Sequence, residues 1–310
     1  MPDSVDKRMG LEEAVSAFVS DGCSMTFGAL AAREPMAVAY EIVRQKKKNL
    51  TFITESTCDS VEILIAGGCV SRTECAYIWG GGLGAGYNYR RAVEQGIPCP
   101  LEVEEYSNLG ASLRFLAGSM GVPFMLTKSL LGSDILNYNP RIKVIDDPYG
   151  SGPVAIVPAA QPDVAFVHVQ RADKDGNAQI WGMQMNDDLV ARASQNVILT
   201  CEEIIPTREI RKNPNMTTIP SYCVSAVVLV PFGSHPVTTA GYYWMDQPFR
   251  GEMVNASKTR SGIEAWMEEW IFGVRDFDAY KEKVGRERLA KLQEMEQDNY
   301  RIPEIKEGVR

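Results

Sequence analysis

Residues 161–182 constrain the fold of this chain more than any other segment. Residues 164–169 are almost entirely apolar, which predicts a short buried β-strand. The sequence Asp173-Lys174-Asp175-Gly176-Asn177 follows and predicts a tight turn, because glycine, asparagine and aspartate accept a positive φ. A second short apolar strand comes after the turn. The segment therefore predicts a β-hairpin with one buried strand.

The first half of the chain alternates between helix-like and strand-like patterns. Apolar residues at helical spacing predict helices at 11–18, 36–44, 60–66 and 88–94. Short β-favouring runs predict strands at 24–27, 50–54 and 75–79. This alternation favours right-handed βαβ units and a mostly parallel sheet, which is an α/β fold.

The second half is richer in predicted strands, at 142–145, 154–157, 164–169, 197–200 and 226–230, with a helix at 185–194. From residue 262 onward the pattern becomes helical, with an apolar stripe that includes Trp266 and Trp270. We therefore divide the chain into a main domain, 1–260, and a C-terminal helical extension, 261–310. The extension is expected to pack on the main domain or on a partner.

Composition excludes several classes of function. The net charge of −8 disfavours a nucleic-acid partner. No apolar stretch approaches the roughly 18 residues of a membrane span. The polar N-terminus does not have the pattern of a signal peptide, so we expect a cytoplasmic protein. Seven scattered cysteines predict free thiols, and with two histidines the chain is expected to hold no metal.

Two glycine-containing segments follow predicted strands and precede predicted helices. Ligands bind at this place in α/β proteins, and glycine lets the backbone approach them closely. One segment, 80–86, fits neither a dinucleotide fingerprint nor a phosphate-binding loop, so the alternatives are a ligand-facing loop and a plain crossover. The other begins at Gly28 and is a ligand loop or a tight turn. The candidate binding residues are Gly28, Ala29, Arg33, Gly80, Gly81, Gly82 and Gly84.

Two glutamates are candidate catalytic residues. Glu55 follows the strand 50–54, where a carboxylate could act as a nucleophile or be an ordinary surface residue. Glu105 precedes the predicted helix 109–116, and there it either faces a cleft or favours the helix electrostatically. Ser107 is the expected N-cap of that helix. His168 is expected to be a hydrogen-bonded core histidine, whereas His235 has no visible triad partner.

In order and spacing, several segments together resemble the α subunit of the family I CoA-transferases, of the glutaconate type. The resemblance covers nearly the whole chain, and the residues that carry it are at 41–45, 121–124, 158–182, 200–205, 231–236 and 269–289. It implies a three-layer α/β/α fold with a mixed, largely parallel sheet. It also implies a heteromer with a β subunit, in which the active site lies at the interface of the two chains.

The resemblance also implies chemistry. No bound cofactor is expected, and a coenzyme A thioester is the substrate together with an acceptor carboxylate. A glutamate of the β subunit would attack the thioester and become a glutamyl-CoA thioester. Gly28 and Ala29 match a Gly-Gly-Phe element that shapes the acyl pocket, although Ala29 and Leu30 depart from it. Glu55 lies where α subunits usually have no glutamate.

We therefore expect the α subunit of a heteromeric CoA-transferase that moves CoA between an acyl-CoA and a mono- or dicarboxylic acid. Three alternatives stay open. One is a CoA-thioester or ring-cleaving C–C hydrolase that uses Glu105, since similar proteins use an acid in this neighbourhood. Another is a decarboxylase on the same scaffold. The last is a non-catalytic subunit that stabilises its partner.

Overall fold

The computed structural model describes residues 6–79, 84–150 and 152–299. Its strands are β1 (Ser24–Phe27), β2 (Leu50–Ile53), β3 (Ser56–Thr57), β4 (Val70–Cys75), β5 (Tyr77–Ile78), β6 (Glu102–Glu105), β7 (Phe124–Thr127), β8 (Lys143–Asp146), β9 (Pro153–Pro158), β10 (Val164–Ala172), β11 (Ala178–Gln179), β12 (Asn196–Ile204), β13 (Thr217–Ile219) and β14 (Ala226–Leu229).

Its α-helices are α1 (Leu11–Phe18), α2 (Met36–Arg44), α3 (Asp59–Ala66), α4 (Tyr87–Gln95), α5 (Asn108–Met120), α6 (Ile135–Tyr138), α7 (Asp187–Ala193), α8 (Thr207–Lys212), α9 (Gln247–Ser257), α10 (Arg260–Met267), α11 (Phe277–Val284) and α12 (Arg286–Asn299). A π-helical turn (Glu268–Phe272) continues α10. Two short 3₁₀ turns lie at Pro214–Met216 and Ser221–Cys223.

The central sheet is largely parallel, as predicted. Its parallel strands lie in the order β14-β12-β10-β1-β2-β4-β6, and β11 and β13 add an antiparallel margin next to β10. A separate antiparallel sheet has the order β7-β9-β8. Because the seven parallel strands point the same way, the loops that leave their carboxyl ends meet at one edge.

Alternation along β10 explains the three layers. Val164 and Phe166 pack into one apolar cluster with α1 to α4 and the C-terminal helices. Ala165 and Val167 pack into a second cluster with α5 and α7. Successive side chains of a strand point to opposite faces, so a strand that is apolar on both faces must be covered on both. The three-layer α/β/α fold is thus confirmed.

The predicted hairpin after β10 is also confirmed. The Asp173 N–H donates to the Asn177 carbonyl over 3.0 Å, and Gly176 has a φ of 95°. The buried Asp173 carboxylate accepts from the N–H groups of Asp175 and Asn177 at 3.0 and 2.9 Å. An aspartate that bonds the backbone of its own turn stabilises it.

Two strand predictions fail at buried charges. The strand predicted at 75–79 is wrong, because β4 ends at Cys75 and Tyr77–Ile78 pairs with β3 instead. Strand β6 was not predicted at all. Both β4 and β6 place glutamates inside the protein, where Glu74 meets Arg114 at 2.5 Å and Glu104 meets Arg72 and Tyr106. Buried carboxylates that are paired in this way hide the apolar pattern of a strand.

The C-terminal helices pack against the main sheet's helical layer, although the boundary at residue 260 stays a prediction and residues 300–310 lie outside the described part. Tyr280 of α11 donates to His235 Nδ1 over 2.7 Å. His235 Nε2 in turn donates to Asp246 over 3.1 Å, and Arg288 of α12 binds that carboxylate at 2.6 and 2.7 Å. All seven cysteines are free, as predicted.

None of the helices in the described part of the chain is long and apolar enough to cross a bilayer.

The Asp246 cluster is expected to stabilise the attachment of α11 and α12. Burial alone would raise the pKa of Asp246, but the hydrogen bonds from His235 and Arg288 outweigh it and hold the pKa below its ordinary value. We predict that Asp246→Asn lowers the free energy of unfolding by about 3 kcal/mol at pH 7, measured in urea. The exposed Asp278→Asn is the control and should change it by less than about 0.5 kcal/mol.

The same experiment has a pH dependence. An ionised Asp246 stabilises the fold above the unfolded pKa of about 3.9, and this contribution is lost as the pH falls toward the lowered folded value. The difference between wild type and Asp246→Asn should therefore narrow as the pH falls from about 5 to about 3. A difference that stays constant over that range would contradict this account.

Candidate active site

The candidate residues come together at the carboxyl edge of the sheet. Gly28 follows β1, Glu55 follows β2 by one residue, and Glu105 ends β6. Strands β1, β2, β4 and β6 are parallel neighbours, so their ends form one continuous rim. The sequence predicted this grouping, since ligands of open α/β sheets bind at the carboxyl ends of strands.

The loop between β1 and α2 has an unusual backbone. Ala29, Ala31 and Arg33 have φ angles of 70°, 57° and 57°, a region that residues with a side chain adopt at a cost. The loop is held by the buried Glu34, which accepts from the Ala31 N–H at 3.1 Å and from the Ser60 N–H at 2.9 Å. Such strain persists where surrounding contacts enforce it, and it is common at ligand sites.

Arg33 anchors this loop from below. Its side chain is 1% exposed and pairs with Asp187, the first residue of α7, at 2.8 Å. It also donates to the carbonyls of His168 and Met183 at 2.8 and 2.9 Å. The guanidinium is thus enclosed by protein groups, and its predicted contact with substrate stays a prediction.

Gly28 leaves room for the same ion pair. A Cβ at this position would lie 2.8 Å from Asp187 Oδ1 and 2.9 Å from a methyl group of Val167. The Gly28 N–H donates to the Phe166 carbonyl over 2.9 Å. In the described part of the chain the N–H groups of Ala29 and Leu30 have no acceptor, so these two are the loop's available donors.

Glu55 lies in a small pocket behind this loop. Asn186 donates from one amide nitrogen to Glu55 Oε2 at 2.6 Å and to Ser112 Oγ at 3.0 Å. The pocket volume is about 20 Å³, and its lining residues are Phe27, Ala29, Leu30, Thr54, Glu55, Ser56, Phe115, Met185, Asn186 and Val190. The carboxylate is therefore held in a mostly apolar recess whose described lining has no lysine or arginine.

Asn186 was missed by the sequence analysis. It stands at the N-cap of α7, a favoured place for asparagine, yet its side chain makes no capping bond there. The amide is turned to Glu55, which precedes it by 131 residues. A helix start could be detected from the sequence, but a long-range partner of this kind could not.

Glu105 is at the same edge but outside this pocket. Its side chain is exposed, and its backbone carbonyl accepts from the Asn139 amide at 2.9 Å. Ser107 caps α5 by accepting from the Gly110 N–H at 3.0 Å, as predicted. The catalytic roles of Glu105 and Glu55 stay predictions.

Only the end of the glycine-rich segment can be described. Gly80, Gly81 and Gly82 lie outside the described residues, whereas Gly84 has a φ of 133°. After it, buried Glu62 accepts from the N–H groups of Asn88 and Tyr89 at 2.9 and 2.7 Å and so caps α4. Burial raises the pKa of Glu62 to about 7. The segment therefore ends at a firmly anchored helix.

The two histidines have internal roles. His168 is fully buried and donates to Glu202 over 2.7 Å, while its other ring nitrogen bonds Thr200 at 2.9 Å. This confirms the expected core histidine. His235 belongs to the Asp246 cluster, and burial lowers its pKa. No group of three or more possible metal ligands occurs among the described residues.

Comparison with known proteins identifies the family. The family described as Coenzyme A transferase matches residues 8–229. A protein from Archaeoglobus fulgidus is 41% identical over 95% of this chain, which covers 66% of that longer protein. The 3-oxoadipate CoA-transferase of Pseudomonas knackmussii has one subunit that is 35% identical over 88% of this chain and 96% of its own length.

The fold matches the same family. The glutaconate CoA-transferase of Acidaminococcus fermentans has a crystal structure that superposes with a TM-score of 0.89 at 33% identity, over 96% of this chain and 98% of that one. The sequence of one of its two kinds of chain, also 33% identical, aligns over 98% of this chain and 99% of its own length. The chain therefore belongs to the coenzyme A transferase family.

Relatives with other activities share the scaffold. The decarboxylase AibA/AibB structure has a TM-score of 0.71 at 30% identity, over 85% of this chain and all of that one. The cholesterol ring-cleaving hydrolase IpdA subunit of Mycobacterium tuberculosis is 27% identical over 91% of this chain and 99% of its own length. Family membership alone thus leaves the reaction to be argued from the site.

The β1–α2 loop gives a matched pair of stability predictions. Gly28→Ala should lower the free energy of unfolding by about 2 kcal/mol, because the new methyl group meets two buried side chains. Ala29→Gly should raise it by about 0.5 kcal/mol, because glycine relieves the positive φ at some cost in unfolded-chain entropy. Urea unfolding of both variants tests this, and a neutral Gly28→Ala would contradict the packing described.

Proposed function

We propose that this chain is the α subunit of a heteromeric CoA-transferase that moves CoA between an acyl-CoA and a carboxylic acid. The observation that carries the proposal is the pocket between the strained β1–α2 loop and the Glu55–Asn186 pair, in a member of this family. At about 20 Å³ the pocket accommodates little more than one water-sized group. An acyl-CoA would therefore need walls supplied by a partner.

In the proposed reaction a glutamate of the partner attacks the thioester carbonyl and expels the CoA thiolate, which leaves an acyl-glutamyl anhydride. The thiolate then attacks the glutamyl carbonyl, releases the acyl group as a carboxylate and forms a glutamyl-CoA thioester. An acceptor carboxylate reverses both steps. The chemistry requires a site from which water is excluded, because water would hydrolyse the anhydride.

This chain would stabilise the oxyanion that forms in each attack. The N–H groups of Ala29 and Leu30 are suited to this, since Gly28 already donates to Phe166. Preorganised backbone donors are effective because they need no reorganisation during the reaction. The buried Arg33–Asp187 pair would hold them in place.

An exposed apolar face supports a partner subunit. Phe124, Leu126 and Ile145 are each at least 40% exposed. They lie on one face of the β7-β9-β8 sheet, since Leu126 pairs with Ile156 and Ile145 with Val154. Asn139, just before β8, binds the Glu105 carbonyl. A partner seated on this face would therefore adjoin the carboxyl edge, and we infer that it is the second subunit.

A hydrolase is the second candidate. Glu105 is exposed at the carboxyl edge, and a relative of this chain is named as a ring-cleaving hydrolase subunit. Once a partner covered it, Glu105 could act there as a general acid or base. A decarboxylase on the same scaffold and a non-catalytic subunit are further alternatives, for which no specific contact in the described part of this chain speaks.

Carboxylate variants separate transferase from hydrolase. In the complex with its partner, Glu55→Gln and Glu105→Gln should each change acetyl-CoA-to-carboxylate exchange by less than about tenfold, since the attacking carboxylate is on the other subunit. The isolated chain should give no exchange. If Glu105→Gln instead removes about 10²–10⁴-fold of the activity, it acts in proton transfer and the hydrolase is favoured.

The exposed Glu13 provides a matched control. Glu13→Gln should leave both exchange and melting temperature unchanged, because Glu13 lies on the outer face of α1. Thioester hydrolysis is measured in the same samples from released thiol without acceptor. Hydrolysis that is faster than exchange would count against the transferase.

A further inference from the structure

The Glu55 pocket has a charge that bears on which acyl group it can take. Glu55 is half-buried, with Oε2 bound to Asn186 at 2.6 Å. In the described part of the chain no donor reaches Oε1, so the pocket presents one open anionic acceptor. The rest of the lining is mostly apolar, and Phe27, Phe115 and Val190 are buried.

Among the described residues, no nearby cation offsets this charge. Arg33 is committed to Asp187 at 2.8 Å, and both side chains are 1% exposed. Buried Arg250 is committed to Asp59 at 2.5 Å. Glu34, which holds the β1–α2 loop, adds a further carboxylate. A second negative charge brought into this recess would be repelled in a region with little water to screen it.

The pocket also selects by size and hydrogen bonding. Its volume of about 20 Å³ suits one hydroxyl or methyl group. A hydroxyl can donate to Glu55 Oε1, whereas a carboxylate can donate nothing and must lose water on entry. Discrimination by polar complementarity of this kind can be large, because a mismatched group leaves buried partners unpaired.

We propose that this pocket is the subsite for the distal end of the acyl group and that Glu55 selects a small neutral tail, best a hydroxyl, over a carboxylate tail. The inference rests on the proposed function, in which the Ala29 and Leu30 N–H groups hold the thioester oxygen at the mouth of the same pocket. It makes Glu55 a specificity residue of this chain and separates it from the attacking carboxylate of the partner.

Three donors with four-carbon acyl groups test the proposal: 4-hydroxybutyryl-CoA, butyryl-CoA and succinyl-CoA. They differ at the distal end, which is a hydroxyl, a methyl or a carboxylate. The purified complex is assayed for CoA transfer to acetate. We expect kcat/KM to be lowest for succinyl-CoA, by about tenfold or more relative to butyryl-CoA, and highest for 4-hydroxybutyryl-CoA.

Glu55→Gln assigns the effect to this residue. The amide keeps the shape, removes the charge and can donate to a carboxylate. The ratio of succinyl-CoA to butyryl-CoA turnover should therefore rise about tenfold, and the preference for 4-hydroxybutyryl-CoA should fall. A ratio measured in one sample is independent of the fraction of folded enzyme. Glu13→Gln is the matched control and should leave the ratio unchanged.

The outcomes are distinguishable. If the complex transfers CoA but uses succinyl-CoA as well as butyryl-CoA, or if Glu55→Gln scales all three donors equally, the inference is overturned and the proposed function stands. If none of the three donors nor acetyl-CoA supports transfer, the proposed function fails and the inference fails with it.

Discussion

The buried ion pair between Arg33 and Asp187 determines the geometry of the site. It joins the β1–α2 loop to the start of α7, and the remaining donors of Arg33 hold the Met183 and His168 carbonyls. Asp187 directly follows Asn186, so the pair also brings the Asn186 amide to Glu55. Breaking a buried pair leaves an unpaired charge, and this cost explains how the loop can keep three residues at positive φ.

The fold could be predicted wherever side-chain pattern and burial agree. Strand β10 is apolar on both faces and lies between two helical layers, as its sequence indicates. Strands β4 and β6 could not be predicted in the same way. Their inward residues include Glu74 and Glu104, whose arginine partners come from other parts of the chain. Local pattern does not reveal charges that are satisfied at long range.

The site shows the same division. Gly28 and Glu55 could be found from the sequence because each follows a predicted strand, and parallel strands share an edge. The partner of Glu55 could not, since Asn186 is identified only by a contact across 131 residues. The buried state of Arg33 was equally hidden, because an arginine beside a glycine turn has the same local sequence whether it faces a ligand or an aspartate.

These features describe one half of an active site, with a strained donor loop, an acidic recess and an apolar face for a second subunit. The most direct test is the mass of each polypeptide once the complex has been mixed with acyl-CoA and separated under denaturing conditions. We predict a CoA thioester on a glutamate of the partner, removable by hydroxylamine, whereas the chain described here stays unmodified. A thioester on Glu55, or none on either chain during turnover, would contradict this account.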